Sequence, residues 1–155
     1  MRSLADAIYA LALTLWIGGL WVVGLIVAPT LFHALSDRFV AGAVAGKIFT
    51  LIAYVGIGCA IYMMIFRMVR FGARSFRQGA FWLLILLFLL MLTLAGEFGV
   101  QPILASLKGQ SLSKGVVESV FRDRFGVWHG VASVLYLIEC ALGFVLVCLE
   151  SRGAR

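Results

Sequence analysis

The sequence predicts an all-α polytopic membrane protein, a bundle of four transmembrane helices with one short amphipathic helix on its outer surface. Composition is the first observation: 63% of the chain is hydrophobic and 13% charged, with a mean hydropathy of +1.08, where a soluble domain averages about 25% charged. The second is the presence of four apolar stretches, residues 4–35, 43–66, 80–100 and 126–149. Each can cross a bilayer core of about 30 Å at roughly 1.5 Å per residue. The third is pattern. None of the stretches alternates with period two, and lipid forces backbone polar groups to pair internally, so they are helices and not barrel strands. Four spans leave little of the 155 residues for anything else, so residues 1–155 read as a single transmembrane domain.

Arg2 followed by an apolar run resembles a signal peptide, but such a core is only about 7–15 residues long. This one continues without a clear cleavage site and reads as a retained first helix. Pro29 lacks a backbone donor and clashes with the preceding turn, which predicts a kink or break close to Leu25. Residues 30–35 then continue at an angle, and Ser36, Asp37 and Arg38 form a short outer turn. Gly42 and Gly46 open the second span as a G-x-x-x-G pair; Gly18, Gly19 and Gly24 in the first and Gly126 and Gly130 in the fourth make further small-residue faces, which let helices approach closely in lipid. They suit packing within the bundle, or a homodimer. The third span, dense in Leu and Phe, leaves the membrane at Gln101 and Pro102. Beyond it Val116, Val117, Val120, Phe121 and Phe125 recur at helical spacing among Glu118, Arg122 and Asp123, predicting the amphipathic surface helix. In the fourth span His129, Ser133, Tyr136, Cys140 and Gly143 share one face.

In a soluble protein the net charge of +6 would suggest nucleic acid; here it reads as topology. Arg67, Arg70, Arg74 and Arg77 crowd the link between the second and third spans, and basic short links stay cytoplasmic. Both termini, with Arg2, Arg152 and Arg155, then also lie in the cytoplasm. The expected location is a bacterial inner membrane, and the expected partners are the lipid bilayer and a membrane protein or a second copy, not nucleic acid. Cys59, Cys140 and Cys148 all fall inside spans without C-x-x-C spacing, which supports neither a disulfide framework nor a zinc site.

Ionisable groups inside spans cost a few kcal/mol, so they are where function is sought. Glu139 lies ten residues past His129, near the bilayer centre. It reads either as a proton-relay or cation-site carboxylate, or as an acid hydrogen-bonded to Tyr54, Thr14 or another helix. A second group lies toward the outer face: His33, Lys47, Glu97 and His129, one from each span. The imidazoles have the chemistry to ligate haem iron or copper, with Glu97 as a further ligand or as the acceptor that fixes a tautomer. The plainer alternative is a Lys47–Glu97 ion pair and two interfacial histidines. Cys59 and Met63, one turn apart, are soft enough for Cu(I), although such a pair in an apolar helix usually packs.

These residues carry a resemblance. Trp16-Ile17-Gly18-Gly19, Ala28-Pro29-Thr30-Leu31-Phe32 and the run from Ala41 to Phe49 resemble the opening of the bacterial domain-of-unknown-function 4149 family, itself similar to eukaryotic transmembrane protein 205. Glu97 with Pro102, and Phe125 with His129 and Ser133, fit its second half. More distantly, the W-x-G-G opening and the A-P-x-L-F turn are similar to copper-resistance D-type proteins and to the four-helix protoporphyrinogen oxidase, which carries haem b. The nearer resemblance implies a four-helix membrane protein without an assigned activity, which fits an accessory, stress- or metal-tolerance component. The distant ones imply a haem-binding redox protein, with His33 in a suggestive position, or a copper or proton-coupled permease. No catalytic motif of high specificity stands in the chain, so the reading leans away from an enzyme.

Overall fold

The computed structural model describes residues 4–71, 80–113 and 118–153. The first span is built from α1 (Leu4–Val22), a π-helical segment (Val23–Val27) and α2 (Ala28–Ala34). The second is α3 (Arg38–Phe71), and the third joins α4 (Ala80–Leu94), a second π-helical segment (Ala95–Val100) and α5 (Gln101–Ser113). The fourth is α6 (Glu118–Gly153). Leu4–Ala34, Val40–Arg70, Ala80–Leu107 and Gly126–Ser151 are each long and apolar enough to cross a membrane, and among the described residues there is no strand. The chain is a multi-pass helical membrane protein. Large apolar residues such as Leu11, Leu51, Phe88 and Val134 are exposed on the outside of the bundle, where lipid solvates them.

Neither proline breaks its helix. Pro29 does not break the first helix near Leu25; the helix widens into a π turn there and runs on to Ala34. Widening carries the carbonyls ahead of the ring out of its way, and such turns are, like proline itself, a recognised site of helix bending, as expected near Leu25. Pro102 repeats the device. The third helix therefore does not end at Gln101 and Pro102 but continues to Ser113. Of the segment expected to form the surface helix, Val116 and Val117 lie outside the described residues, and Glu118 onward belongs to α6. The expected turn between the first two spans is present: Asp37 accepts the Ala41 N–H on its carbonyl at 3.0 Å and the Val40 N–H on Oδ1 at 3.4 Å, capping α3.

The bundle has a terminal end, where residues 4, 71, 80 and 153 lie, and a far end, where α2, α5 and the start of α6 lie. Its dry core occupies the terminal half. Trp16, Met63, Leu86 and Leu146 are fully buried there, joined by Tyr9, Leu13, Leu20, Ile85 and Leu89. Gly56 allows the closest approach, since a Cβ on it would strike the Trp16 indole. Gly19 and Gly143 play the same part under Ile52 and Ile17. The predicted small-residue faces are thus used selectively. Gly18, Gly126 and Gly130 have open space where a side chain would stand.

Candidate functional site

In the far half the four spans part around a cavity of about 370 Å³. Every span contributes to its wall: Leu20, Gly24 and Phe32 from the first, Gly42, Gly46 and Phe49 from α3, Thr93, Glu97 and Gln101 from the third, and His129, Tyr136 and Glu139 from α6. Pro29, His129 and Ser133 on its edge are exposed, and so mark where it reaches the outside of the bundle. Gly42 and Gly46, read from sequence as a helix-packing pair, line this space.

Tyr136 explains how the cavity is held open. Its hydroxyl donates to the Leu20 carbonyl at 2.6 Å, and the Gly24 N–H lies within hydrogen-bonding reach of the phenol oxygen. Leu20 and Gly24 are the i and i+4 pair that an unbroken α-helix would join, so the phenol stands inside the ladder at the point where the helix widens. The ring fills the place a Gly24 side chain would need, and Phe49 meets it edge-on with centroids 4.9 Å apart. Sequence alone shows Tyr136 only as one member of a polar stripe. The signal that could have singled it out is a glycine five residues before a proline inside an apolar run.

Glu139 lies midway along Gly126–Ser151 and is 5% exposed. Its hydrogen-bonding neighbour is Thr93 on α4, not Tyr54 or Thr14. Tyr54 is exposed against Phe98 and Thr14 donates to the Ala10 carbonyl. Of the outer group, Glu97 and His129 line the cavity, whereas His33 and Lys47 are exposed and do not. His129 meets Phe32 edge-on at 6.1 Å between centroids. The Lys47–Glu97 ion pair is not formed: among the described residues the ion pairs shown are Arg67–Glu150 and Arg70–Asp6.

The residues do not fit a haem held between two histidines, because His129 faces the cavity and His33 does not. Cys59 and Met63 sit in or against the dry core of the terminal half, away from this cavity. Among the described residues no three His, Cys, Asp or Glu side chains converge as a metal site requires.

A second polar cluster, which the sequence reading missed, ties the terminal end. Arg67 donates to Glu150 Oε2 at 3.1 Å, Tyr9 donates to the same oxygen at 3.1 Å, and the Arg67 guanidinium lies 4.1 Å from the Trp82 ring centre. Arg70 reaches Asp6 at 3.7 Å, and Tyr62 donates to the Ala5 carbonyl at 3.1 Å. All four spans are joined here. Arg67 and Arg70 stand out in the sequence as topology markers, which hides their second use. Acids at matching depth, Asp6 and Glu150, were the available clue.

The family model of a domain of unknown function, DUF4149, matches residues 11–113. The chain belongs to the DUF4149 family. The DUF4149 match takes in both π-helical segments, both prolines and the cavity walls of the first three spans, and stops before His129, Tyr136 and Glu139. No curated protein and no solved structure matches the chain.

Proposed function

We propose that this protein is an accessory, tolerance-type component of a bacterial inner membrane, one four-helix membrane domain with both termini in the cytoplasm, that binds a small molecule between its spans. The observation that carries this is the cavity. It is of the size of ordinary ligand sites, mostly apolar, with a few converging polar groups. Its shape is specified by particular residues, namely two prolines, two π turns and an inserted phenol. A chance packing defect in lipid would be closed by the neighbouring side chains; this one is framed by groups that keep them apart. Glu97, His129 and Glu139 are the side chains a ligand would meet, and Lys47 and His33 lie outside it. The basic link around Arg67 and Arg70 supports the orientation.

The test uses the full chain in detergent and an uncharged compact probe, 1-adamantanol. A ligand that binds only the folded state raises the unfolding temperature with concentration. The wild-type protein is expected to show that rise, and Ala132→Leu, which adds bulk to the cavity wall, is expected to abolish it while remaining folded. If neither 1-adamantanol nor its charged relatives shifts the transition, the binding role is wrong.

A further inference from the structure

The charge preference of the cavity can be read from its main chain. In each of the two widened helices a proline stands five residues after a residue of the cavity wall: Pro29 after Gly24, and Pro102 after Glu97. In an α-helix the Gly24 carbonyl would accept the Ala28 N–H, but that N–H goes to the Val23 carbonyl. In a π-helix the donor would come from residue 29, a proline without an N–H. Glu97 repeats this. The Gln101 N–H bonds the Gly96 carbonyl, and residue 102 is the other proline. Two main-chain carbonyls, one on each side of the cavity, have thus lost both of their helical donors. Gly24 has no side chain, so what it offers the wall is main chain.

Glu139 supplies an independent observation. Its carboxyl is buried next to the Thr93 hydroxyl, but the single proton of that hydroxyl is directed to the Leu89 carbonyl at 3.0 Å. That hydroxyl has one proton for two acceptors, the Leu89 carbonyl and the Glu139 carboxyl, so the carboxyl keeps acceptor capacity that Thr93 does not meet. The Glu97 carboxyl adds to the same wall, and among the described residues no Lys or Arg lines it. An anion here would meet two carboxyl groups, and the ionisable nitrogen base that shares the wall, His129, stands at its exposed edge. A molecule without N–H or O–H would leave buried acceptors unsatisfied, which is costly away from water.

We infer that the cavity takes a small apolar molecule carrying one cationic amine, whose N–H groups answer Glu139 and the released carbonyls while its apolar body meets Leu20, Phe49 and Ile52. This rests on the binding role proposed above and names the class of ligand. The ammonium is a compact set of donors with no acceptor, and charge-assisted bonds to carboxylates are about twice as strong as neutral ones.

Three probes share one cage and differ only in charge: 1-adamantylamine, 1-adamantanol and adamantane-1-carboxylate. Titrated into the full chain in detergent at neutral pH, the amine is expected to bind at least about tenfold tighter than the alcohol, one decade in Kd, with the carboxylate weakest. Glu139→Gln is expected to bring the amine to the level of the alcohol without weakening the alcohol. Glu97→Gln, at a partly buried position, reduces the preference and provides a second readout should Glu139→Gln fail to fold. Alcohol and amine binding alike, both blocked by Ala132→Leu, would overturn the amine assignment and leave the binding role standing. A preference that survives both glutamine variants would overturn it too, and binding of none of the three would remove both readings together.

Discussion

The two halves of the bundle are made from the same four spans yet solve opposite problems. In the terminal half Trp16, Met63, Leu86 and Leu146 are fully buried, Gly56 lies flat against the Trp16 indole, and Arg67, Glu150 and Tyr9 bind the helices together. In the far half Gly24 lies under Tyr136 and the phenol holds its helix open, so that a similar close contact makes space instead of removing it. Glycine and aromatic ring are paired in both halves. What differs is the proline that follows: Pro29 lies five residues after Gly24, and α3, which carries Gly56, holds no proline. Small residues in a membrane helix therefore do not predict tight packing by themselves; the backbone register around them decides.

The comparison breaks first if the terminal half is not the source of stability. Trp16→Ala is expected to cost about 3 kcal/mol, the low end for a large buried aromatic because lipid rather than water receives it on unfolding. Gly56→Leu, which drives a side chain into the indole, is expected to cost about 1–3 kcal/mol or more. Both can be measured as loss of stability in denaturant titrations of the detergent-solubilised protein. A change of only a few tenths would place the stabilising core elsewhere.

Glu150→Ala comes next. It removes the partner of a partly exposed arginine, 22% exposed against 32% for the glutamate, so the expected loss is about 1–2 kcal/mol, between surface and buried ion pairs. Adding Arg67→Met in the same chain should recover part of it, because no cation is then left behind. The double variant being as unstable as the sum of the singles would show that the two side chains do not act as a pair.

The smallest expected stability change sharpens the contrast. Pro29→Ala restores an N–H and lets the first helix return to α register; its stability should move by less than about 1 kcal/mol, while binding of 1-adamantanol falls. Hydrogen exchange of Gly24, Leu25 and Ile26 should slow at the same time. Unchanged binding together with unchanged exchange would mean that the π turn does not depend on the proline.

The fold was legible because it rests on gross quantities. Length, apolarity and the absence of alternation fix four helices, and Asp37 fixes the turn between the first two. The ends were less legible: Pro102 looks like an exit from the membrane, and only hydrogen-bond register shows that a helix passes through it. Of the site, the sequence yields Glu97, His129 and Glu139, since ionisable groups in lipid draw attention. It groups His33 and Lys47 with them although they do not line the cavity, because similar depth says nothing about the direction in which a side chain leaves its helix. Tyr136 and the paired Arg67 and Glu150 depend on rotation between helices, which no single span encodes.

The released carbonyls of Gly24 and Glu97 carry one more consequence. A main-chain acceptor within a bilayer does not stay bare, and where protein gives no donor, water does. The bundle with nothing bound is thus expected to draw solvent toward mid-membrane, through the edge marked by Pro29, His129 and Ser133. Occupancy then becomes an exchange, in which each arriving molecule displaces water already hydrogen-bonded to the wall. The affinity of the site is set by how well the newcomer replaces those bonds, and dehydration, more than contact area, governs what it retains.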